Sequence, residues 1–275
     1  MSRTWQPEEP PPALNRPDMR GWIRVICRAV PMVAITFPAL LFILMVRFVE
    51  RPLARGGRPV TARIKQFICR IDLALLGISF SRRGQPMTSA GILVANHSSW
   101  LDILVLGASA PVTFVSKDDV AGWPGIGLLA RGTGTMFITR DPKLAVQQRD
   151  ELAHRLAEGE LMLFFPEGTS SDGRRILPFK PALFESLFLP GLREKLQVQP
   201  VSVRYHAPEG EDPRFHAWFG NMDFGPHALN VLAAPRGGAV EVILHPPVRV
   251  RDFDGRKSIA AWSETAVRDG SRQRA

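Results

Sequence analysis

The chain has 275 residues, 45% of them hydrophobic, with two cysteines and a formal net charge of +9 at pH 7. That composition excludes a disordered chain and leaves ample material for a sizeable core. Cys27 and Cys69 stand outside any C-x-x-C or Cys/His cluster, which excludes a disulfide framework and fits a reducing compartment.

The charge is unevenly placed. Residues 1–80 carry twelve Lys/Arg and five Asp/Glu, so most of the excess surrounds the most hydrophobic part of the chain. With a single tyrosine and no basic stripe interleaved with stacking aromatics, this favours an anionic membrane surface over a nucleic acid.

Residues 1–20 open polar and proline-rich and read as a flexible lead-in. Residues 29–46 carry no charge, a marginal length against the roughly 20 apolar residues of a spanning helix. Arg24 and Arg28 precede the run, and Arg47, Arg51 and Arg55 follow it, so both flanks are positive and set no direction. Pro31 and Pro38 invite kinks. Three readings stay open here: a helix dipping into one leaflet, a tilted single span, and a buried helix of a soluble protein. Residues 62–80 begin amphipathically at Ile64, Phe67, Ile68 and Ile71, and Arg70 and Asp72 argue against spanning. They read as a second interfacial helix, with a plain core helix as the open alternative, and the membrane-associated segment is drawn over 21–84.

Residues 85–275 alternate strand-like and helix-like segments. GILVANH reads as a strand entering a loop, SWLDILVLGAS as a helix, and VTFVSK and TMFITR as short strands. Asp141 and Pro142 open a helix that stops near Gly159. ELMLFFPEG, VQPVSVRY and AVEVILHPPVRV complete the strands. The alternation implies an α/β domain with a mixed, largely buried sheet flanked by helices.

Two stretches carry chemistry. In ILVANHSSWLDILVLG, an apolar run breaks at Asn96 to place His97 and, five residues on, Asp102. One reading is a helix start, since Ser99-x-x-Asp102 resembles a capping box. The other is a catalytic pair. Residues five apart on a helix point about 140° from one another. The two therefore meet only if His97 lies in the loop at the strand's carboxyl end and Asp102 in the first helical turn. There an imidazole serves as general base and the carboxylate fixes its tautomer.

In LMLFFPEGTSSDGRR, a second apolar strand ends at Pro166 and presents Glu167, then Gly168, Thr169, Ser170 and Ser171. These groups suit a hydroxyl-bearing acceptor, and the N–H groups of Gly168 and Thr169 suit an anion. The competing reading is a polar turn closed by Asp172-Gly173. Lys117, Arg140 and Lys180 follow other strand-like runs; each reads singly as a solvated surface charge, and together they would line a cleft for an anionic ligand.

These motifs resemble the glycerolipid acyltransferase family typified by bacterial 1-acyl-sn-glycerol-3-phosphate acyltransferase. N-H-x-x-x-x-D reads Asn96 to Asp102, GTMFITR supplies Arg140, F-P-E-G-T reads Phe165 to Thr169, and QPVSV reads Gln199 to Val203. The resemblance covers roughly residues 90–205. It implies His97 as the base with Asp102 as its partner, and Arg140, Glu167, Gly168, Thr169 and, less directly, Lys117 and Lys180 as acceptor-binding groups. It also implies an N-terminal membrane-docking segment. The chain departs from the family at Ser170, where many members have arginine, and at Pro181-Ala182 after Phe179-Lys180. FPEGTSSDG also resembles the branch that acylates lyso-ornithine lipid.

The expected reaction moves a fatty acyl group from a thioester of acyl carrier protein or coenzyme A to a lysolipid hydroxyl, at the cytoplasmic face of a bacterial inner membrane. It needs no cofactor and no metal. The first expectation for the acceptor is lysophosphatidate, giving phosphatidic acid, and the alternative is lyso-ornithine lipid. No G-x-S-x-G elbow marks a covalent acyl-enzyme. Rival classes are a non-catalytic membrane lipid-binding protein and a metal-dependent hydrolase; for the latter, His97 and Asp102 are too few ligands.

Overall fold

The computed structural model describes residues 5–6, 8–53, 59–123, 125–139 and 141–272. Arg55 and Arg140 lie outside these residues.

Helices α1 (Met19–Leu53) and α2 (Pro59–Leu75) lead into strand β1 (Ser79–Arg83). Then come β2 (Gly91–Ala95), α3 (Asp102–Ser109), β3 (Thr113–Lys117), α4 (Ile126–Gly132) and β4 (Met136–Ile138). Next are α5 (Ala145–Ala157), β5 (Leu161–Phe164), β6 (Gln197–His206), α6 (Phe224–Ala233), β7 (Ala239–Leu244), β8 (Val248–Arg249) and α7 (Arg256–Arg272). The strands form one sheet in the order β1-β7-β6-β2-β5-β3-β4, with β8 pairing β6. Only β7 and β8 run antiparallel to β6; the other pairings are parallel, so the sheet is mixed.

Alternation along the central strands sends side chains to opposite cores. Leu93 and Ala95 of β2 join the core under α2, α3 and α6, while Ile92 and Val94 join the core under α5 and α7. All five residues of β2 are buried, as a strand covered on both faces requires.

Three boundaries differ from the sequence reading. The second helix stops at Leu75, because Gly77 takes a left-handed φ of 71° and the chain re-emerges as β1. Residues 79–83 are therefore sheet, and the α/β domain begins before residue 85. AVEVILHPPVRV forms two short strands rather than one, because Pro246 and Pro247 lack the N–H groups a ladder needs. Before α5, Asp141 caps a 3₁₀ turn (Pro142–Leu144) by accepting the Lys143 N–H at 3.0 Å.

The lead-in, which composition alone reads as flexible, lies against the domain. Trp5 stacks edge-on with Phe219 and lies under the Arg175 guanidinium, and Glu9 pairs with Arg174 and Arg214.

Helix α1 runs unbroken through Pro31 and Pro38 for 35 residues, about 52 Å at 1.5 Å per residue. Within Met19–Glu50, an 18-residue apolar window has a mean hydropathy of 2.4 and is only 11% buried. Trp22, Ile26, Val33, Leu41, Met45 and Phe48 line an exposed face, with Phe48 84% exposed. Such a patch marks membrane association.

The opposite face packs on the domain, with Leu40 and Ile43 buried. Three of the arginines flanking the apolar run, Arg24, Arg28 and Arg47, have structural partners. Arg24 donates to the Ala233 carbonyl at 2.6 Å, and Arg28 donates to those of Leu232 and Ala234 at 3.0 and 2.8 Å, at the carboxyl end of α6. Arg47 donates to the Gly132 carbonyl at the end of α4. Cations at helix carboxyl ends satisfy orphan carbonyls and favour the dipole. Both ends of α1 are thus tied to one domain.

Candidate active site

Parallel pairing builds the site. Val94 of β2 stands beside Phe164 of β5. Three residues beyond each, both chains leave the same edge of the sheet, so His97 and Glu167 emerge side by side. The His97 N–H donates to Glu167 Oε1 at 2.7 Å. Glu167 Oε2 accepts the Leu177 N–H, also at 2.7 Å. Buried and fully engaged with backbone, Glu167 clamps two loops together. Burial pushes its carboxyl up to about 8, against the two N–H bonds and the Arg268 charge that pull it down; the Asp102 charge adds to the rise.

The His97 loop is accounted for group by group. Asn96 ends the strand but continues the ladder with its amide: Oδ1 accepts the Val203 N–H at 2.8 Å and Nδ2 donates to the Val203 carbonyl at 3.0 Å. The His97 carbonyl accepts the Ser171 N–H at 2.9 Å, and the Ser98 carbonyl accepts that of Trp218 at 2.8 Å. The Ser98 and Ser99 N–H groups donate to Asp102 Oδ2 at 2.9 and 3.0 Å.

Asp102, wholly buried at the start of α3, pairs with His97: Nδ1 lies 2.7 Å from Oδ2. On its other oxygen, Tyr205 Oη donates at 2.7 Å. The geometry is compatible with both readings of the sequence: the acid reaches back to the Ser99 N–H, which is half of a capping box, and also holds the imidazole. Ser99 Oγ accepts from the Leu101 N–H instead of the residue 102 amide. Because a carboxylate only accepts, His97 carries its proton on Nδ1 and leaves the Nε2 lone pair free. The ring is stacked on Phe165, centroids 4.0 Å apart, and its side chain remains 21% exposed.

Of the other expected residues, those described stand at the same edge. Gly168 is left-handed at φ 68°, and a Cβ there would lie 2.6 Å from the Lys180 ammonium, which crosses the turn. Lys180 is held there because its own N–H donates to the Pro166 carbonyl at 2.9 Å. Thr169 is half-buried beside them. Ser171 spends its hydroxyl on the Arg175 carbonyl, and Asp172 accepts the Arg174 and Arg175 N–H groups, so the polar-turn reading of this stretch also holds. Lys117 ends β3, next but one to β2 in the sheet.

Tyr205 and its support were missed from the sequence. The signal was present: Val201, Val203 and Tyr205 alternate onto the sheet face that α3 covers. His216 stacks on Tyr205 at 5.1 Å. Trp100, Trp123, Trp218 and Phe224 form a ring cluster on the same side. Of the cysteines, Cys69 is buried, which pushes its thiol up to about 12 and leaves it unreactive. Among the described residues, no three His, Cys, Asp or Glu side chains gather in a metal-holding group.

Comparison with known proteins identifies the family. The Acyltransferase family matches residues 78–204. The lyso-ornithine lipid O-acyltransferase of Rhodobacter capsulatus is 49% identical, over 98% of both chains. A 1-acyl-sn-glycerol-3-phosphate acyltransferase of Neisseria gonorrhoeae is 32% identical, over 56% of this chain and 58% of its own. The crystal structure of the 1-acyl-sn-glycerophosphate acyltransferase of Thermotoga maritima superposes with a TM-score of 0.63 at 20% identity, over 92% of this chain and 96% of that one. The chain belongs to the acyltransferase family that includes these enzymes.

Proposed function

We propose that this enzyme is a lyso-ornithine lipid O-acyltransferase, moving a fatty acyl group from an acyl thioester to the lysolipid's free hydroxyl. The observation that carries the acceptor is the relative of that name, 49% identical along essentially the whole chain. The lysophosphatidate enzyme of Neisseria gonorrhoeae matches little more than half of it. That comparison moves the acceptor from lysophosphatidate, expected first, to the alternative.

The site's charge supports the same acceptor. An ornithine head group offers one carboxylate where lysophosphatidate offers a phosphate of higher charge. Ser170 stands where many family members have arginine. Lys180 and the backbone N–H groups of the turn after Gly168 suit that carboxylate. Glu167 serves by holding the loop; Thr169 and Lys117 stand at the same edge of the sheet, and Arg140 is assigned to acceptor binding by the sequence resemblance alone.

In the chemical step, His97 Nε2 takes the hydroxyl proton as the oxygen attacks the thioester carbonyl carbon. The C–O bond forms and the C–S bond breaks. The departing thiolate receives the proton from the imidazolium, whose charge Asp102 balances. The donor is the thioester of acyl carrier protein or coenzyme A, both cytosolic.

The enzyme therefore works at the cytoplasmic face of the inner membrane. With Arg24, Arg28 and Arg47 all tied to the one domain, α1 lies along a single leaflet rather than crossing the bilayer.

The test presents the enzyme, in membranes, with labelled acyl carrier protein and either lysolipid. Ornithine lipid should form and phosphatidic acid should not. Product from lysophosphatidate alone would return the acceptor to the first expectation. Product from neither, with coenzyme A thioester also tried, would remove the reading. His97→Ala should lower turnover at least about 10²-fold with the fold intact.

A further inference from the structure

Asp102 is held from a side that the paired motifs do not describe. Its Oδ2 carries His97 and two backbone N–H groups, while its Oδ1 has Tyr205 at 2.7 Å. Tyr205 stands near the end of β6, on an element separate from both motifs. Its ring is fixed by His216, stacked at 5.1 Å with a 26° tilt, and His216 is fixed in turn by donating from Nε2 to the Gly237 carbonyl at 2.8 Å. Next to a carboxylate, a phenol can only donate.

We propose that Tyr205 is a positioning residue for acyl transfer: its hydroxyl fixes the orientation of the Asp102 carboxylate and, by drawing charge toward Oδ1, sets how strongly Asp102 supports the His97 imidazolium. This rests on His97 acting as the base. The groups facing Asp102 are His97 from the β2 loop, Tyr205 from β6 and Glu167 from the β5 loop, with His216 behind Tyr205. Burial and the Asp102 charge both push the Tyr205 phenol far above its ordinary range, so it keeps its proton at every working pH. The bond is therefore a constant donor that changes the carboxylate without itself titrating.

The direction of the effect follows. Removing the donor concentrates negative charge on Asp102, favours the imidazolium and moves the acid limb of the rate profile to higher pH. A stronger donor does the reverse.

Tyr205 is the only tyrosine in the chain. Growth on 3-fluorotyrosine therefore replaces this one phenol with a more acidic one, at no other position. Tyr205→Phe removes the hydroxyl and keeps the ring. Both chains are assayed in membranes, with kcat and KM for each substrate measured across pH and unfolding midpoints recorded.

In the Phe chain, kcat should fall about tenfold or more, as loss of one bond to a charged group implies, with both KM values unchanged. Its acid limb should move to higher pH, and that of the fluorinated chain to lower pH. A purely structural role would lower the midpoint without moving the limbs in opposite directions. Limbs that stay put or move together, or a Phe chain within about twofold of wild type, would overturn the proposal. If the Phe chain does not fold, the fluorinated chain decides alone. Activity surviving His97→Ala would sink the base assignment itself. A dead His97→Ala beside a flat tyrosine series would sink only the role of Tyr205.

Discussion

The backbone N–H of His97 and the carboxyl group of Glu167 form a 2.7 Å hydrogen bond across 70 residues of sequence. The two motifs therefore make one object: the second holds the first. Glu167 uses both oxygens as acceptors, the other for Leu177. Glutamine offers one acceptor and turns an NH₂ toward the second N–H. Leaving a buried donor unpaired costs about 1–3 kcal/mol. Glu167→Gln should lower both the unfolding midpoint and kcat, the latter by about 10- to 100-fold. Full activity with a normal midpoint would show that the clamp is dispensable.

Asp102→Asn isolates charge from geometry. An amide oxygen in the Oδ2 position still accepts from Ser98, Ser99 and His97, and its NH₂ can donate to the Tyr205 hydroxyl. The imidazole keeps its tautomer but loses the countercharge for its protonated form. We expect a folded protein with unchanged KM values and kcat reduced about 10²-fold or more. Near-normal turnover would mean that the carboxylate orients but does not stabilise.

The exposed face of α1 gives a prediction about location. Met45 and Phe48 point away from the domain, 69% and 84% exposed, so charges there disturb no core contact. Met45→Glu with Phe48→Glu should leave the unfolding midpoint near wild type and weaken sedimentation with anionic lipid vesicles. Undiminished binding would move the docking surface elsewhere. Because Arg47 is engaged with Gly132, its loss should act on the seating of α1 against α4 as well as on charge.

Much of this was legible in the sequence. The apolar runs before His97, Glu167 and Lys117 became parallel strands sharing one carboxyl edge, whereas the run before Lys180 forms no strand. His97 and Asp102 were found together because a loop residue and a first-turn residue are near neighbours. Tyr205 was not, since nothing local in QPVSVRY says which strand lies beside β2. The buried state of Glu167 was also hidden: its partners are backbone groups of other loops, which side-chain patterns do not encode. Arg24, Arg28 and Arg47 read as membrane-surface charges, but they cap α6 and α4, contacts set by how α1 packs. The β1 strand was absorbed into a helix because ISF continues an apolar pattern, and only Gly77 marks the break.

The histidine behind Tyr205 gives a stability prediction with a definite sign. His216 is buried, and desolvation lowers it from 6.5 to about 4, with the His206 charge adding to the fall and the Gly237 bond opposing it. Between those values the unfolded chain holds a proton that the folded chain does not. Stability from this group is therefore present above pH 6.5 and lost as pH falls toward 4. His216→Gln keeps an N–H for Gly237 but cannot titrate. The variant should be less stable than wild type at pH 7, through poorer stacking on Tyr205. As pH falls the gap should narrow, by up to about 1.4 kcal/mol per pH unit. Denaturant unfolding at pH 7, 6 and 5 measures it. A gap that stays constant would mean that His216 is already protonated, or solvated, in the folded enzyme.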